Sequence, residues 1–334
     1  MRRFHKMVGT VILFLMIFVS ACAPRSQPLI AEGPPLPTAS EETTEATEAP
    51  VEATEEPVAT EETAEPTEEA TEPVATEDAS VAQFPDFDPN NFDSNSIVIN
   101  NKWMPMKPGT FWAYEGTALD GSETVNRRIE YTVSDLTKEI DGVRTVVAWI
   151  EDYNNGELTE KEVAFYAQDK DGAVWYFGEH PEDYENGNFV EAPTWIAGLA
   201  DAKPGIKMLP DPQLGSPVLY QGWGPDVEWS DYGQIDQLGQ KYCIPLNCYE
   251  NVLVIAESSL KEEGAYQLKY YGQGIGNFQV GWKGTDDTQE ELKLAEYKQL
   301  SQEELADIHA QALELEKHAY EVSPDVYGET APME

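Results

Sequence analysis

Three glycine turns, Asp120-Gly121, Asn155-Gly156 and Asp171-Gly172, constrain this chain more than any other feature of it. Asn-Gly and Asp-Gly between apolar-alternating runs mark two-residue hairpins, because the tight turn needs positive φ at its centre. The runs they separate are FWAYEGTA (111–118), TVNRRIEYTV (124–133), VRTVVAWIEDY (143–153), LTEKEVAFYAQ (158–168) and AVWYFGE (173–179). Their spacing predicts a five-strand antiparallel meander.

The second half repeats the pattern. SPVLYQGW (216–223), DVEWSDYGQI (226–235), ENVLVIAES (250–258), AYQLKYYG (265–272), GNFQVGW (276–282) and EELKLAEYKQL (290–300) all read as strands. A helix follows over 301–323. Ser301-Gln302-Glu303-Glu304 has the form of a capping box, and Leu305, Ile308, Ala312, Leu315 and Ala319 share one face. Pro324 stops the helix, and residues 324–334 are expected to form a loose tail. The fold class is therefore mainly β: a curved antiparallel sheet, half-barrel or barrel-like, over residues 84–300, with one C-terminal amphipathic helix. An immunoglobulin sandwich is disfavoured because no Cys…Trp…Cys spacing is present.

The N-terminus reads as an export signal. Arg2, Arg3 and Lys6 precede the apolar run Val11–Val19, and Val19-Ser20-Ala21-Cys22 follows at once. The run is short for a membrane span, which takes about 20 residues. VSAC resembles the lipobox of bacterial lipoprotein signal peptides, which implies cleavage after residue 21 and lipidation of Cys22. A diacylglyceryl group supplies two chains and hence a stable anchor. The expected location is outside the cytoplasm, lipid-anchored to the bacterial membrane. Ala23 after the cysteine fits the cell surface or outer membrane.

Residues 22–83 read as a tether. No lysine or arginine occurs between Ser26 and Asn101, and Thr, Glu, Ala, Pro and Val recur in loose units such as EATEEPVATEE. Such composition cannot offset the entropy of ordering, so a disordered, extended acidic linker is expected. With 62 acidic against 21 basic residues the formal charge is −41. That excludes nucleic acid and basic-patch lipid binding as partners, while leaving cations and cationic partners open.

WMPMKPGTFWAYEG (103–116), YAQDKDGAVWYFGE (166–179), AKPGIKM (202–208), CYENVLVIAE (248–257) and YYGQGIG (270–276) occur in that order. They resemble the landmarks of a group of secreted, often lipid-anchored bacterial proteins to which no activity is assigned. The resemblance spans roughly residues 100–300 and implies a mostly β domain. Cys243 and Cys248 are not part of that pattern.

Those two cysteines, in YCIPLNCY, read as a disulfide around a Pro245–Asn247 turn, with free thiols as the alternative. A zinc site needs more ligands, and a redox pair usually has two intervening residues. No serine-hydrolase elbow, zinc-protease or phosphate-loop motif occurs. Asp169-Lys170-Asp171-Gly172 fails the calcium-loop signature, because Ala167 stands where its first carboxylate belongs. His180, in GEHPEDYENG, reads as a solvated loop residue. His309 and His318 fall on opposite sides of the helix. No catalytic residue, metal site or cofactor is assigned.

All eight tryptophans lie beyond residue 100, and YQGWGPDVEWSDY concentrates aromatics beside acids. Tyr220, Trp223, Trp229 and Tyr232 are the candidate ligand-binding residues, able to stack a sugar or clasp a cation; otherwise they fill the core. The resulting expectation is a monomeric, non-catalytic binding or interaction module. Its partner would be a small ligand, a protein or a cell-wall polymer. The alternatives are a structural or stress-related envelope lipoprotein and an extracytoplasmic hydrolase without a visible motif.

Overall fold

The computed structural model describes residues 81–334 apart from residue 263. The signal peptide expected over 1–21, Cys22 and the tether up to residue 80 lie outside the described residues. Five long strands come first: β1 (Thr110–Asp120), β2 (Glu123–Ile140), β3 (Val143–Asn154), β4 (Glu157–Gln168) and β5 (Val174–Glu185). Short strands follow: β6 (Asn188–Glu191), β7 (Trp195–Ile196), β8 (Lys203–Met208), β9 (Leu219–Tyr220) and β10 (Gly222–Trp223). The second set is β11 (Tyr232–Cys243), β12 (Cys248–Ser258), β13 (Ala265–Gly272), β14 (Gly276–Gly284) and β15 (Glu291–Gln299), before the helix α1 (Gln302–Val322).

The sheet runs β10-β8-β5-β4-β3-β2-β1-β15-β14-β13-β12-β11-β9, with β6 and β7 also paired to β5. Its two ends, β10 and β9, are separated in the chain by Gln221 alone, so the sheet curls almost onto itself. The seam closes where β8 meets residues 220–222. A Cβ on Gly205 there would lie 2.3 Å from the Gln221 carbonyl carbon, so only glycine fits the approach. The fold is the expected barrel-like antiparallel sheet with one C-terminal helix.

The Asn155-Gly156 hairpin forms as its residues dictate, whereas the expected two-residue turn at Asp171-Gly172 is a five-residue turn over 169–173 in which Gly172 alone takes positive φ (95°). Asn155 and Gly156 both take positive φ (53° and 83°), as do Asp141 and Gly142 (48° and 77°). Asp169 braces the turn before β5. Its carboxylate accepts from the backbone N–H of Asp171 (3.0 Å) and Ala173 (2.8 Å) and from Trp175 Nε1 (2.8 Å). Cys243 and Cys248 face each other across the β11–β12 hairpin and are joined by a disulfide.

Strands β2–β5 bury both faces. Val133, Val146, Ala148, Ala164, Tyr166 and Tyr176 point inward. Val147, Trp149, Val163, Phe165, Trp175 and Phe177 point outward, against Ala312, Leu315 and Ala319 of α1. Two-sided burial explains why VVAW, VAFYA and AVWYF are continuous apolar runs. The capping box of α1 is complete, Ser301 Oγ accepting from the Glu304 N–H and Glu304 from the Ser301 N–H.

Four further expectations are corrected. The strand expected over 226–235 is instead a 3₁₀ turn at Pro225–Val227 and a single bridge between Gly224 and Trp229, and the strand starts only at Tyr232. Gly224-Pro225 and the left-handed Glu228 (φ 59°) break the extended run. Residues 216–223 form only the two-residue strands β9 and β10. Residues 324–334 are packed rather than loose. Tyr327 is fully buried, and Glu334 exchanges two backbone hydrogen bonds with Thr137 of β2. Beneath that tail, the buried Lys138 reaches Glu316 Oε1 at 2.8 Å and lies 4.3 Å from the Tyr327 ring centroid. His180 is not on a loop. It is fully buried on β5, with Nδ1 2.6 Å from Thr194 Oγ1, while its neighbour Glu182 takes His318 of α1 at 2.7 Å. α1 and the tail cover this stretch, so its polar sequence does not make it surface.

Candidate functional site

The inner face of the barrel surrounds a partly open cavity of about 330 Å³. Trp112 and Tyr114 of β1, Tyr131 of β2, Ile150 of β3, Glu162 and Tyr166 of β4, and Tyr176 and Glu179 of β5 form one wall. Lys207 of β8, Trp229 and Asp231 just before β11, Glu257 of β12, and Lys269 and Tyr271 of β13 also line it. The volume is at the lower end of the usual range for small-molecule sites, about 300–1,000 Å³.

A bulge decides which residues of β5 reach the cavity. On β4 the even positions point inward, through Glu162, Ala164 and Tyr166. On β5 Val174 and Tyr176 do so as well, but the register then shifts by one opposite Phe165. The extra residue reverses the alternation, turning Glu179 into the cavity and His180 and Glu182 outward beneath α1. Gly178 permits this at φ 131°, with the Trp195 carbonyl oxygen only 2.3 Å from where a Cβ would be. β7 can therefore lie close enough for Trp195 Nε1 to donate to Glu179 Oε1 at 3.1 Å.

Glu162 and Glu179 are adjacent acids sharing one hydroxyl donor. Tyr176 donates a short hydrogen bond to Glu179 and lies 3.4 Å from Glu162 Oε1. Burial, with repulsion from Glu179 and Glu160, holds the Glu162 carboxyl well above the usual range. Burial also raises Glu179, against the pull of Tyr176, Trp195 and Lys207. Asp231 is pushed up to about 7 by burial, opposed by Lys207 and reinforced by Glu257 and Glu179. Farther along the same inner face Glu160 rises to about 8, through burial and the charge of Asp152. Burial opposes ionisation of Glu257 too. There Lys207 and Lys269 win, with hydrogen bonds from Lys207 (2.9 Å) and Gln221 (2.9 Å), and its carboxyl stays below the usual range. The cavity thus holds one ion pair, Lys207–Glu257, and a set of acids whose carboxyls are raised by burial.

Aromatic faces complete the lining. Tyr166 and Tyr176 stack at 4.7 Å, and Trp229 stacks on Trp195 at 4.8 Å while meeting Tyr176 edge-on at 5.7 Å. The Tyr131 hydroxyl faces Tyr166, shielded from solvent, without a hydrogen bond of ordinary geometry.

Of the four aromatics singled out in the sequence, Trp229 alone lines this cavity. Tyr220 stacks on Phe84 at 4.3 Å and groups with Trp223 (5.7 Å) and Tyr232 (6.2 Å) at the seam. The sequence reading did not single out Glu162, Glu179, Asp231, Lys207, Glu257 or Lys269. The signal available was the same-face series Glu160, Glu162, Ala164, Tyr166. It becomes informative only once the opposite face is known to be buried as well. Among the described residues no group of histidine, cysteine, aspartate and glutamate has the arrangement of a metal site, and no helix is long and apolar enough to cross a membrane.

No family model and no curated protein matches this chain. Among solved structures, a presumed exported protein with a YmcC-like fold from Bacteroides fragilis NCTC 9343 is 11% identical. It aligns over 59% of this chain and 99% of its own, with a TM-score of 0.31. A presumed lipoprotein from Parabacteroides distasonis ATCC 8503 is 14% identical over 58% of this chain and 97% of its own, also with a TM-score of 0.31. At that identity and score the likeness fixes neither the fold nor the chemistry of this chain.

Proposed function

We propose that this chain is an exported lipoprotein, anchored through Cys22, whose barrel holds a small ligand at the end of an acidic tether. The observation that carries the binding reading is the cavity itself. A purely structural barrel would fill its interior with interdigitating side chains. This one lines a space of about 330 Å³ with four carboxyls, two lysines and several aromatic side chains. Converging polar groups in a largely apolar pocket are the usual form of a ligand site. The anchor reading rests on the VSAC sequence at residues 19–22 and the short apolar run before it.

Native mass spectrometry of the full chain, extracted from its own membranes, tests the binding reading. A non-covalent small-molecule adduct is expected, and Val280→Trp, which fills the cavity from β14, should remove it. A wild-type protein with no adduct, or one whose adduct survives the filled cavity, would refute it. A hydrolase remains the second reading because Glu162 and Glu179 are adjacent acids with raised carboxyls, a pattern that also serves acid–base chemistry. Conversion of the recovered ligand on incubation with fresh protein would favour it.

A further inference from the structure

The polar wall of the cavity is short of positive charge. Glu162, Glu179, Asp231 and Glu257 face it, against Lys207 and Lys269. Lys207 is already committed, 2.9 Å from Glu257 and 2.7 Å from Gln221. Lys269 acts at longer range on Glu257 and Asp152. That leaves Glu162, Glu179 and Asp231, none of which has an ion-pair partner among the described residues.

A recess beside the cavity is acidic as well. A smaller adjoining recess, about 170 Å³, shares Asp231, Glu257 and Gln267 with it and is also lined by Glu262 and Asp286, with no lysine or arginine. A concave surface of one sign concentrates ligands of the other. Trp229 and Tyr176 line the same cavity as these acids, each with one face stacked on a neighbouring ring, Trp195 and Tyr166, and aromatic faces attract cations within about 6 Å of their centroids.

We propose that the ligand is an organic ammonium ion, seated between the Glu162–Glu179 wall and the faces of Tyr176 and Trp229, and attracted also by Asp231, Glu262 and Asp286. The inference rests on the binding reading above and deepens it by naming the ligand's charge class. In the free protein burial raises these carboxyls, and Lys207, the cation nearest them, is paired with Glu257. A bound ammonium favours their ionised forms, so its binding is accompanied by proton release. A neutral polyol leaves the proton count unchanged, and an anion raises it.

The test is calorimetric titration of the full chain in detergent, in buffers of different ionisation heat, between pH 6 and 8. The probes are ethanolammonium, choline and spermidine, with glucose and glycerol as neutral and succinate as anionic counterparts. At least one ammonium should bind with net proton release, its affinity rising up to about tenfold per pH unit for each proton released. Glu162→Gln with Glu179→Gln should weaken binding at pH 8 by about tenfold or more. The acidic tether is present in both proteins, so its diffuse cation binding does not enter the difference. Proton release is read on the unaltered chain and needs no variant to fold. Absence of ammonium binding, proton uptake, or affinity unchanged in the double variant would overturn the inference. A neutral or anionic probe that binds and is expelled by Val280→Trp would overturn it too, while leaving the pocket standing.

Discussion

Acids that hold their protons inside the barrel make the fold lose stability as pH rises, in the range where most proteins are insensitive. A carboxyl whose folded pKa is raised binds its proton more tightly in the native state than in the unfolded chain. Its contribution is complete below the unfolded value and is lost as pH climbs to the folded one. For Glu160 that window runs from 4.5 to about 8, and for Asp231 from 3.8 to about 7. Each such group costs about 1.4 kcal/mol per pH unit within its window. Two of them give an upper limit of about 5 kcal/mol between pH 5 and 7, and coupling to neighbouring acids such as Glu179 trims this to about 2–5 kcal/mol. Glu257 and Glu182 are shifted downward, so their contributions change below pH 4.5 and do not offset the loss. Urea unfolding of the full chain at pH 5, 6, 7 and 8, followed by tryptophan fluorescence, measures this directly. The midpoint should fall steadily, and Glu160→Gln with Asp231→Asn should flatten the fall by about half. A midpoint that stays level or rises from pH 5 to 7 would refute the burial of protonated acids. A bound ammonium should restore stability most at the alkaline end.

Two other outcomes are expected. Lys138→Met leaves Glu316 buried without its cation and should cost about 3–5 kcal/mol, lowering Tm by roughly 6–15 °C in calorimetry; a loss under about 1 kcal/mol would show that the tail is not secured there. Cys22→Ser should move the protein from the membrane to the soluble fraction of lysed cells, and continued sedimentation with membranes would remove the lipid anchor from the proposal.

The fold was legible because its turns announce themselves. The Asn155-Gly156 turn and the capping box at Ser301 work through local hydrogen bonding and backbone sterics, which a sequence states directly. The stretch from 224 to 231 misled for the opposite reason: VEWSDY alternates like a strand, yet Pro225 and the left-handed Glu228 turn the chain. The tail misled because its anchoring is non-local. Lys138, 178 residues before Glu316, pairs with it, and Tyr327 and Met333 pack against that pair. Of the cavity, the aromatic half was partly visible through Trp229. The acidic half was hidden among 62 carboxylates.

The bulge at Gly178 shows why no reading of alternation alone could have assigned that acidic half. Counting by twos from Tyr176 sends His180 and Glu182 into the barrel and Glu179 out of it; the added residue exchanges them. The exchange matters because the two faces of β4 and β5 do different jobs. The outer face carries Val163, Phe165, Trp175 and Phe177 under α1 and ties these strands into a packed layer. Relieved of part of that task, the inner face can leave space and tolerate Glu162 and Glu179 at close quarters. Their unfavourable proximity is sustained by burial elsewhere, a common arrangement at sites that must wait for a ligand. The helix is thus coupled to the chemistry without touching it. Loosening α1, as in Lys138→Met, should weaken ligand binding and stability together, whereas Glu162→Gln with Glu179→Gln should weaken binding while stabilising the domain at pH 8. Opposite signs in that pair of measurements separate a wall that supports the fold from one kept for a ligand.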